Sequence, residues 1–147
     1  MMLPLSRAMY PEELVQPMRS ELTQIGFEEL RTPDEVDKKL TAEGTTLVVV
    51  NSICGCAARM ARPAVRQALH QANAKPEHLT TVFAGQEKEA TDRARGYFTG
   101  YPPSSPSIAL LRDGQLVFML ERWQIEGRPA PDIARDLMAA FEEHCAT

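Results

Sequence analysis

One stretch of the sequence decides the fold: T-T-L-V-V-V-N-S-I-C-G-C, residues 45–56. Its first half is β-branched and apolar without alternation, which is typical of a strand covered on both faces. We therefore predict a central strand over 45–50. The second half carries Cys54 and Cys56 around Gly55, and a helical pattern follows it. Both cysteines are thus predicted at a strand-to-helix corner.

The helix after the corner is marked by small apolar residues that recur on one face. These residues are Ala57, Ala61, Ala64, Val65, Ala68, Leu69 and Ala72. Pro63 lies within this stretch and lacks a backbone N–H group. We therefore expect a kink there instead of a straight helix.

Two helices are predicted before the central strand. Apolar residues recur every three or four positions in the first, at Leu14, Met18, Leu22 and Ile25. Gly26 is its stop signal, and Pro17 predicts a kink or a late start. The second helix begins at T-P-D-E, residues 32–35, where a capping hydroxyl, an initial proline and a glutamate form a start signal. This helix is expected to run to Leu40.

The remaining patterns predict a strand at 79–84, a helix at 87–95, a loop of breakers at 100–106, strands at 107–111 and 115–120, and a helix from 132. Asp113-Gly114 is a two-residue hairpin signal, so the last two strands are antiparallel. Because βαβ units come first and a hairpin last, the sheet is mixed. This order is that of a thioredoxin-like α/β fold, with a central mixed β-sheet flanked by helices. We expect one domain over residues 1–147, with residues 1–26 as an extra N-terminal helical extension packed on it.

Composition and charge exclude several classes of protein. A chain of 147 residues, 44% of them hydrophobic, can bury a core without metal or disulfide staples. A net charge of −4 supplies no cationic field for nucleic acid. The apolar run 47–50 is too short to span a bilayer, and no signal core precedes Arg7. We expect a cytoplasmic protein with neither nucleic-acid nor membrane partners. Because the cytoplasm is reducing, its three cysteines indicate catalysis or metal binding more than permanent disulfides.

Cys54 is suited to thiolate chemistry. A thiol at the first turn of a helix is favoured as thiolate by unpaired amide donors and by the helix dipole. Arg59 and Arg62 follow within two turns and are candidates for electrostatic support, although solvent screens an exposed charge, so the helix end is weighted above them. Cys56 is close enough to form an internal disulfide, with Gly55 supplying backbone freedom. Such a ring is strained and therefore easily reduced. The cysteine pair is thus expected to accept or isomerise mixed disulfides more readily than it acts as a strong reductant.

Two other interpretations of the cysteines stay open. They could be small buried hydrophobes, although packing explains a C-G-C corner poorly. Alternatively, Cys54, Cys56 and Cys145, with His144, could carry zinc or a cluster. C-x-C with one remote cysteine lacks the paired spacing of a structural zinc site, so no metal is assigned to the site. Cys145 by itself, near the end of the last helix, is expected to be a bystander.

Further motifs make the sequence similar to the bacilliredoxin family. They are V-V-V-N-S-I-C-G-C-A-A at 48–58, Q-P-M-R-S-E-L-T at 16–23, A-R-P at 61–63, V-F-A-G-Q at 82–86, Y-P-P-S-S-P-S at 101–107 and I-E-G-R at 125–128. The combination of C-G-C with P-P-S-S-P-S is more distinctive than either motif alone. The resemblance covers nearly the whole chain, with Arg59 standing where the family pattern has glycine.

The resemblance implies a thiol-disulfide oxidoreductase of bacteria that use the low-molecular-weight thiol bacillithiol. Cys54 would be the thiol that attacks a mixed disulfide between bacillithiol and a client protein, and Cys56 would be its partner. Bacillithiol is then a co-substrate, no cofactor is tightly bound, and a separate pyridine-nucleotide-dependent bacillithiol disulfide reductase supplies electrons. A general protein disulfide isomerase or reductase is the alternative function.

The Ser105-Pro106 bond is a further expectation. A proline before a strand is most often a trans turn residue. Thioredoxin-like proteins, however, place a cis-proline beside the active thiol, where the preceding residue offers its backbone to an extended substrate. The resemblance therefore predicts a cis Ser105-Pro106 bond, with Ser105, Pro106 and Gly55 as substrate-binding residues.

Overall fold

The structure, a computed structural model, describes residues 5–145, so the predicted domain ends at 1–4 and 146–147 lie outside the described residues. Within this range five strands form one sheet: β1 (Glu28–Glu29), β2 (Thr45–Asn51), β3 (His78–Phe83), β4 (Ser107–Arg112) and β5 (Gln115–Leu120). The strand order is β1-β3-β2-β4-β5. Since β2 pairs in parallel with β3 and antiparallel with β4, the predicted mixed sheet is confirmed.

Helices cover both faces of this sheet. They are α1 (Glu12–Thr23), α2 (Pro33–Leu40), α3 (Arg62–Gln71), α4 (Lys88–Arg95), α5 (Arg122–Ile125) and α6 (Ala130–Cys145), with a π-helical turn at Ala57–Ala61 leading into α3. In the part of the chain that the structure describes, no helix has the length and apolar character needed to cross a bilayer.

The central strand β2 explains why its sequence does not alternate. All seven of its residues are buried. Leu47 and Val49 join the core that α3 and α6 form on one face, and Val48 and Val50 join the core that α2 and α4 form on the other. Each fully buried valine or leucine contributes roughly 1.5–3 kcal/mol. Both faces therefore require apolar side chains.

Two local signals in the sequence are confirmed. Asp113 and Gly114 have φ angles of 50° and 80°, the left-handed pair that a two-residue hairpin turn requires between β4 and β5. At the start of α2, the Thr32 hydroxyl accepts a hydrogen bond from the Glu35 amide at 3.2 Å. In turn, the Glu35 carboxylate accepts one from the Thr32 amide at 3.1 Å. Both features depend only on neighbouring residues.

Several elements differ from expectation. β1 and α5 were not predicted, because two and four residues are too short to display a period. The expected late start at Pro17 is wrong, since α1 already begins at Glu12 and runs through this residue. Where a kink was expected at Pro63, the structure has a π-helical turn over Ala57–Ala61, just before this residue. In it, the Arg62 amide donates to the Ala57 carbonyl.

The N-terminal extension is helical only in part. Residues 5–11, which we call the N-terminal strap, contain no helix and lie against the turn that follows β3. The Met9 amide donates to the Gly85 carbonyl at 2.8 Å. The Gln86 side chain bonds to the Tyr10 amide at 2.8 Å and to the Tyr10 carbonyl at 3.0 Å. The strap is therefore fastened beside the carboxyl end of the parallel strands.

Candidate active site

The corner between β2 and the following helix is held by Arg62, which is only 2% exposed. Its guanidinium donates to Asn51 Oδ1 at 2.9 Å and to the Ser52 carbonyl at 3.0 Å, and it pairs with Glu21 of α1 at 3.2 Å. Asn51 Oδ1 also accepts from the Ser52 amide at 2.9 Å. Because these contacts hold the Asn51 side chain and the Ser52 backbone where the chain leaves the sheet, they fix the geometry of the corner.

Cys54 lies half-buried directly before the helix, as the sequence predicts. Burial raises the pKa of its thiol, whereas the Ser52 hydroxyl and the amide N–H groups of Ala57 and Cys56 lower it. The charge of Arg122 lowers it further, so that the pKa of Cys54 lies below its ordinary value. The thiolate, which is the nucleophilic form, is therefore favoured at this position.

Cys56 is subject to the opposite electrostatics. Burial and the charge of Cys54 raise the pKa of the Cys56 thiol, Arg122 opposes them, and the Glu126 carboxylate adds to the increase. The Cys56 thiol donates to Glu126 Oε2 at 3.6 Å, and the same oxygen lies 3.0 Å from Arg122 Nε. The site therefore holds one thiol that favours ionisation beside one that keeps its proton.

The Ser105-Pro106 bond is cis, which confirms the predicted geometry. Two arginines donate hydrogen bonds to the loop that contains this peptide bond. Arg122 Nη1 donates to the Ser105 carbonyl and Arg95 Nη2 to the Ser104 carbonyl, each at 3.3 Å. The Arg122 amide also contacts Ser104 Oγ at 3.4 Å. The predicted substrate-binding roles of Ser105 and Pro106 stay predictions.

Cys54 opens onto a cavity of about 340 Å³. Its walls come from separate segments and include Met9, Tyr10, Cys54, Arg95, Ser105 and Arg122. This volume suits a small molecule. A larger cavity of about 620 Å³, between Ile25 and α3, is lined by neither Cys54 nor Cys56.

The arginine that acts on the sulfur differs from those predicted. Arg59 is exposed, and the Arg62 guanidinium is turned into the corner, where it bonds to Asn51 and Ser52. The charge that lowers the Cys54 pKa is that of Arg122. The expected support from Arg59 and Arg62 is thus corrected: Arg62 positions the backbone, and α5 supplies the charge.

Gly55 is exposed, and its φ angle is not in the left-handed region. A Cβ atom at this position would meet nothing within 4 Å. The free-thiol state therefore does not require glycine here. The freedom predicted for closing a Cys54–Cys56 ring, and the substrate-binding role of Gly55, stay predictions.

The third cysteine is far from the other two. Burial raises the pKa of the Cys145 thiol and outweighs the Thr45 side chain, which lies beside the thiol and lowers its pKa. Thr45 begins β2, whereas Cys54 follows its other end, and a strand of this length separates them by about 20 Å. Among residues 5–145 no group of three or more metal-binding side chains converges. A carrier site built from Cys54, Cys56 and Cys145 is therefore incompatible with the fold.

Sequence reasoning missed Arg95, Arg122 and the wall formed by Met9 and Tyr10. These residues come from α4, from α5 and from the N-terminal strap, and they meet Cys54 only through the sheet topology. No local pattern marks them. The I-E-G-R motif at 125–128 was the nearest signal, since it contains Glu126, the carboxylate bonded to Cys56.

The fold and the two thiols define a class of protein. A thioredoxin of Plasmodium falciparum matches with a TM-score of 0.56 at 18% identity, over 82% of this chain and all of that one (100%). A mutant thioredoxin of Halobacterium salinarum matches with a TM-score of 0.55 at 17% identity, over 81% of this chain and 90% of that one. These likenesses confirm the thioredoxin-like fold. Together with the relatives below, they make the protein a thiol-disulfide oxidoreductase.

The sequence profile of a family described as disulphide isomerase matches residues 10–145. A bacilliredoxin of Koribacter versatilis is 59% identical over 138 residues, 93% of this chain and 94% of that protein. Another, of Geobacillus kaustophilus, is 53% identical over 137 residues, 92% of this chain and 94% of that protein. The chain belongs to this family, whose curated relatives are named bacilliredoxins.

Proposed function

We propose that the protein removes bacillithiol from mixed disulfides on client proteins, with Cys54 as the nucleophile. The observation that carries this proposal is the pairing of a Cys54 thiol of lowered pKa with a Cys56 thiol of raised pKa. The small cavity at Cys54 leaves room for a low-mass thiol. The bacilliredoxin names of the relatives support the choice of bacillithiol.

The first step is a thiol-disulfide exchange. The Cys54 thiolate attacks the bacillithiol sulfur of the mixed disulfide, and a new S–S bond forms as the bond to the client sulfur breaks. The client leaves as a thiolate that takes a proton from water. One disulfide is consumed and one is made, so the step needs no external oxidant or reductant.

Bacillithiol then leaves Cys54 by one of two routes. A second bacillithiol thiolate attacks the bound bacillithiol sulfur, releasing bacillithiol disulfide and the Cys54 thiolate. Alternatively, the Cys56 thiolate attacks the Cys54 sulfur and releases bacillithiol as a thiol. The raised pKa of Cys56 supports the first route, because a protonated thiol is a poor nucleophile.

Electrons for the cycle come from outside this chain in the proposed scheme. Bacillithiol disulfide is reduced by a separate pyridine-nucleotide-dependent reductase in the cytoplasm, and no cofactor is tightly bound to this protein. Reconstitution of turnover from purified protein, bacillithiol and such a reductase, without added metal or flavin, tests this part of the scheme.

Intact-mass analysis tests the exchange itself. Reduced wild type, Cys54→Ser, Cys56→Ser and, as a matched control, Cys145→Ser are each mixed with a client whose single cysteine carries bacillithiol. We expect no transfer to Cys54→Ser, a trapped adduct on Cys56→Ser and wild-type behaviour of Cys145→Ser. Cys56→Ser should also turn over when free bacillithiol is added. Transfer to Cys56 in the Cys54→Ser protein would contradict the assignment.

The description of the matching family favours one other candidate, a general protein disulfide isomerase or reductase. The same cysteine pair could exchange with ordinary protein disulfides. The two functions are separated by presenting one client either with bacillithiol on its cysteine or with an internal disulfide. Faster reaction with the internal disulfide would favour the isomerase.

A further inference from the structure

Arg95, at the end of α4, is half-buried and forms no salt bridge with any of the residues that the structure describes. Its Nε atom is inaccessible and has no hydrogen-bond partner in the part of the chain that the structure describes. Its one hydrogen bond there runs from Nη2 to the Ser104 carbonyl. The Nε atom of Arg62 also lacks a hydrogen-bond partner, but it lies 3.2 Å from a carboxylate oxygen of Glu21. The buried Arg19 guanidinium likewise lies 2.7 Å from Glu87.

Such an arrangement is costly for folding. A guanidinium keeps its charge in proteins, and even partial burial of a charge without a salt-bridge partner is unfavourable. Burial also lowers the pKa of Arg95, and the charge of Asp92 opposes this only in part, so the charged form is destabilised. Groups whose pKa values are perturbed in this way are concentrated at functional sites.

Arg95 lines the same cavity as Cys54. Arg122 lies in this cavity as well, but its Nε atom is paired with Glu126 and its Nη1 atom with the Ser105 carbonyl. None of the ten residues that line the cavity is acidic. Of the two arginines that line the cavity, Arg95 is therefore the one without a salt bridge, and it lies on a wall that adjoins the attacking sulfur.

We infer that Arg95 binds a carboxylate of the low-mass thiol while that thiol exchanges at Cys54, so that the protein selects anionic thiols. The cavity of about 340 Å³ fits a small molecule better than a folded client. A guanidinium forms charge-assisted hydrogen bonds with a carboxylate, and the bound anion supplies the salt-bridge partner that Arg95 lacks. This inference rests on the proposed function, which brings the thiol to Cys54.

The test uses three small disulfides of similar length and different charge: dithiodipropionate, an anion, hydroxyethyl disulfide, which is neutral, and cystamine, a cation. The parent protein carries both Cys56→Ser and Cys145→Ser, so that only attack by Cys54 is measured. The Cys54 thiolate displaces one half of each disulfide as a thiolate and retains the other half in a new disulfide. The rate of this adduct formation is followed by intact mass.

Arg95→Gln, made in the parent, should slow the reaction with dithiodipropionate by about tenfold or more, because a charge-assisted hydrogen bond to the carboxylate is lost. Its rate with hydroxyethyl disulfide should change less than about twofold, and its rate with cystamine should rise. The matched control is Arg66→Gln, which removes the same charge from an exposed position on α3. We expect this control to keep the parent's order of rates.

Each alternative gives a different pattern. If Arg95→Gln slows the reaction equally with all three disulfides, Arg95 only supports the Ser104 loop. If it changes none of the rates, Arg95 does not bind the carboxylate of a small thiol. Either result overturns the inference. Parent protein that reacts with none of them would instead count against the proposed function. If Arg95→Gln unfolds thermally at a temperature no lower than that of the parent, misfolding is excluded as the cause of its slower reaction.

Discussion

Ser52 couples the geometry of the corner to the chemistry of the sulfur. Its oxygen accepts from the Cys54 amide at 3.3 Å, and its hydroxyl lowers the pKa of the Cys54 thiol. Its own backbone is held by Asn51 and Arg62. The position of Cys54 before a helix was predicted from the sequence, whereas the contribution of Ser52 depends on side-chain directions that only the folded corner defines.

Ser52→Ala should raise the pKa of Cys54, because the thiolate loses a hydrogen-bond donor. The measurement is the rate of alkylation by iodoacetamide as a function of pH, with Cys56 and Cys145 replaced by serine. In the parent, the rate should rise with a midpoint below the ordinary cysteine value of about 8.5. The midpoint should move to higher pH in Ser52→Ala and stay in place in Ser20→Ala, a serine of α1. An unchanged midpoint in both variants would exclude the role given to Ser52.

Glu126 has the opposite effect on the neighbouring thiol. Glu126→Gln removes the carboxylate charge near Cys56 and leaves Arg122 unpaired, and both changes lower the pKa of Cys56. In a Cys54→Ser background, alkylation of Cys56 should therefore reach its half-maximal rate at lower pH. The exposed Glu142→Gln on α6 serves as the control. A shift to higher pH in Glu126→Gln would contradict the assigned electrostatics.

The elements differ in how far sequence predicts them. The strand β2 and the Asp113-Gly114 hairpin depend on adjacent residues and were predicted. The strap could not be predicted, because what orders it is hydrogen bonding to Gly85 and Gln86, far along the chain. The same holds for the short helix α5, whose Arg122 is bonded to the Ser104–Ser105 loop.

Gly85 illustrates this dependence. Its φ angle is +91°, and a Cβ atom there would lie 2.8 Å from Cε2 of Tyr10. Gly85→Ala should therefore lower the free energy of unfolding by more than about 1 kcal/mol and displace the strap from the cavity wall. Urea unfolding measures the first effect. The control is Gly55→Ala, in open space without a left-handed φ, which should stay within about 0.5 kcal/mol of wild type. Equal stability of both variants would contradict this packing.

On the scale of the whole molecule, Arg19 joins segments that are distant in sequence. It is 2% exposed, and its guanidinium lies 2.7 Å from Glu12 of α1, 3.4 Å from Glu29 of β1 and 2.7 Å from Glu87 before α4. The guanidinium carbon is also 5.2 Å from the centroid of the Phe83 ring. The helical extension is thus attached to the sheet through a buried arginine and its partly exposed carboxylate partners.

Arg19→Met should destabilise the protein by about 3 kcal/mol, since it leaves several partly buried carboxylates without a cation. Urea unfolding at neutral pH measures this loss. The control is Arg135→Met, an exposed partner of Asp132, with an expected change of less than about 0.5 kcal/mol. A loss no greater than that of the control would mean that Arg19 does not hold the extension.

The same cluster predicts a pH dependence. Burial raises the pKa of Glu12, but Arg19 outweighs this and the pKa is lowered. A carboxylate with a lowered pKa stabilises the fold above its unfolded pKa of about 4.3, and this stability is lost as the pH falls through the folded value. The difference between wild type and Arg19→Met should therefore shrink in acid, and urea unfolding at stepwise lower pH measures it. A constant difference would contradict the pairing.

The sequence by itself determined the central strand, the start of α2, the hairpin and the place of Cys54 and Cys56, because each depends on residues within a few positions of one another. The tertiary structure alone decided which groups surround those thiols. Arg122, Arg95 and the strap reach Cys54 because a mixed sheet brings the ends of distant segments to one edge. Local propensity carries no information about such long-range neighbours, and for this reason the sequence selected Arg59 and Arg62 where the fold supplies Arg122.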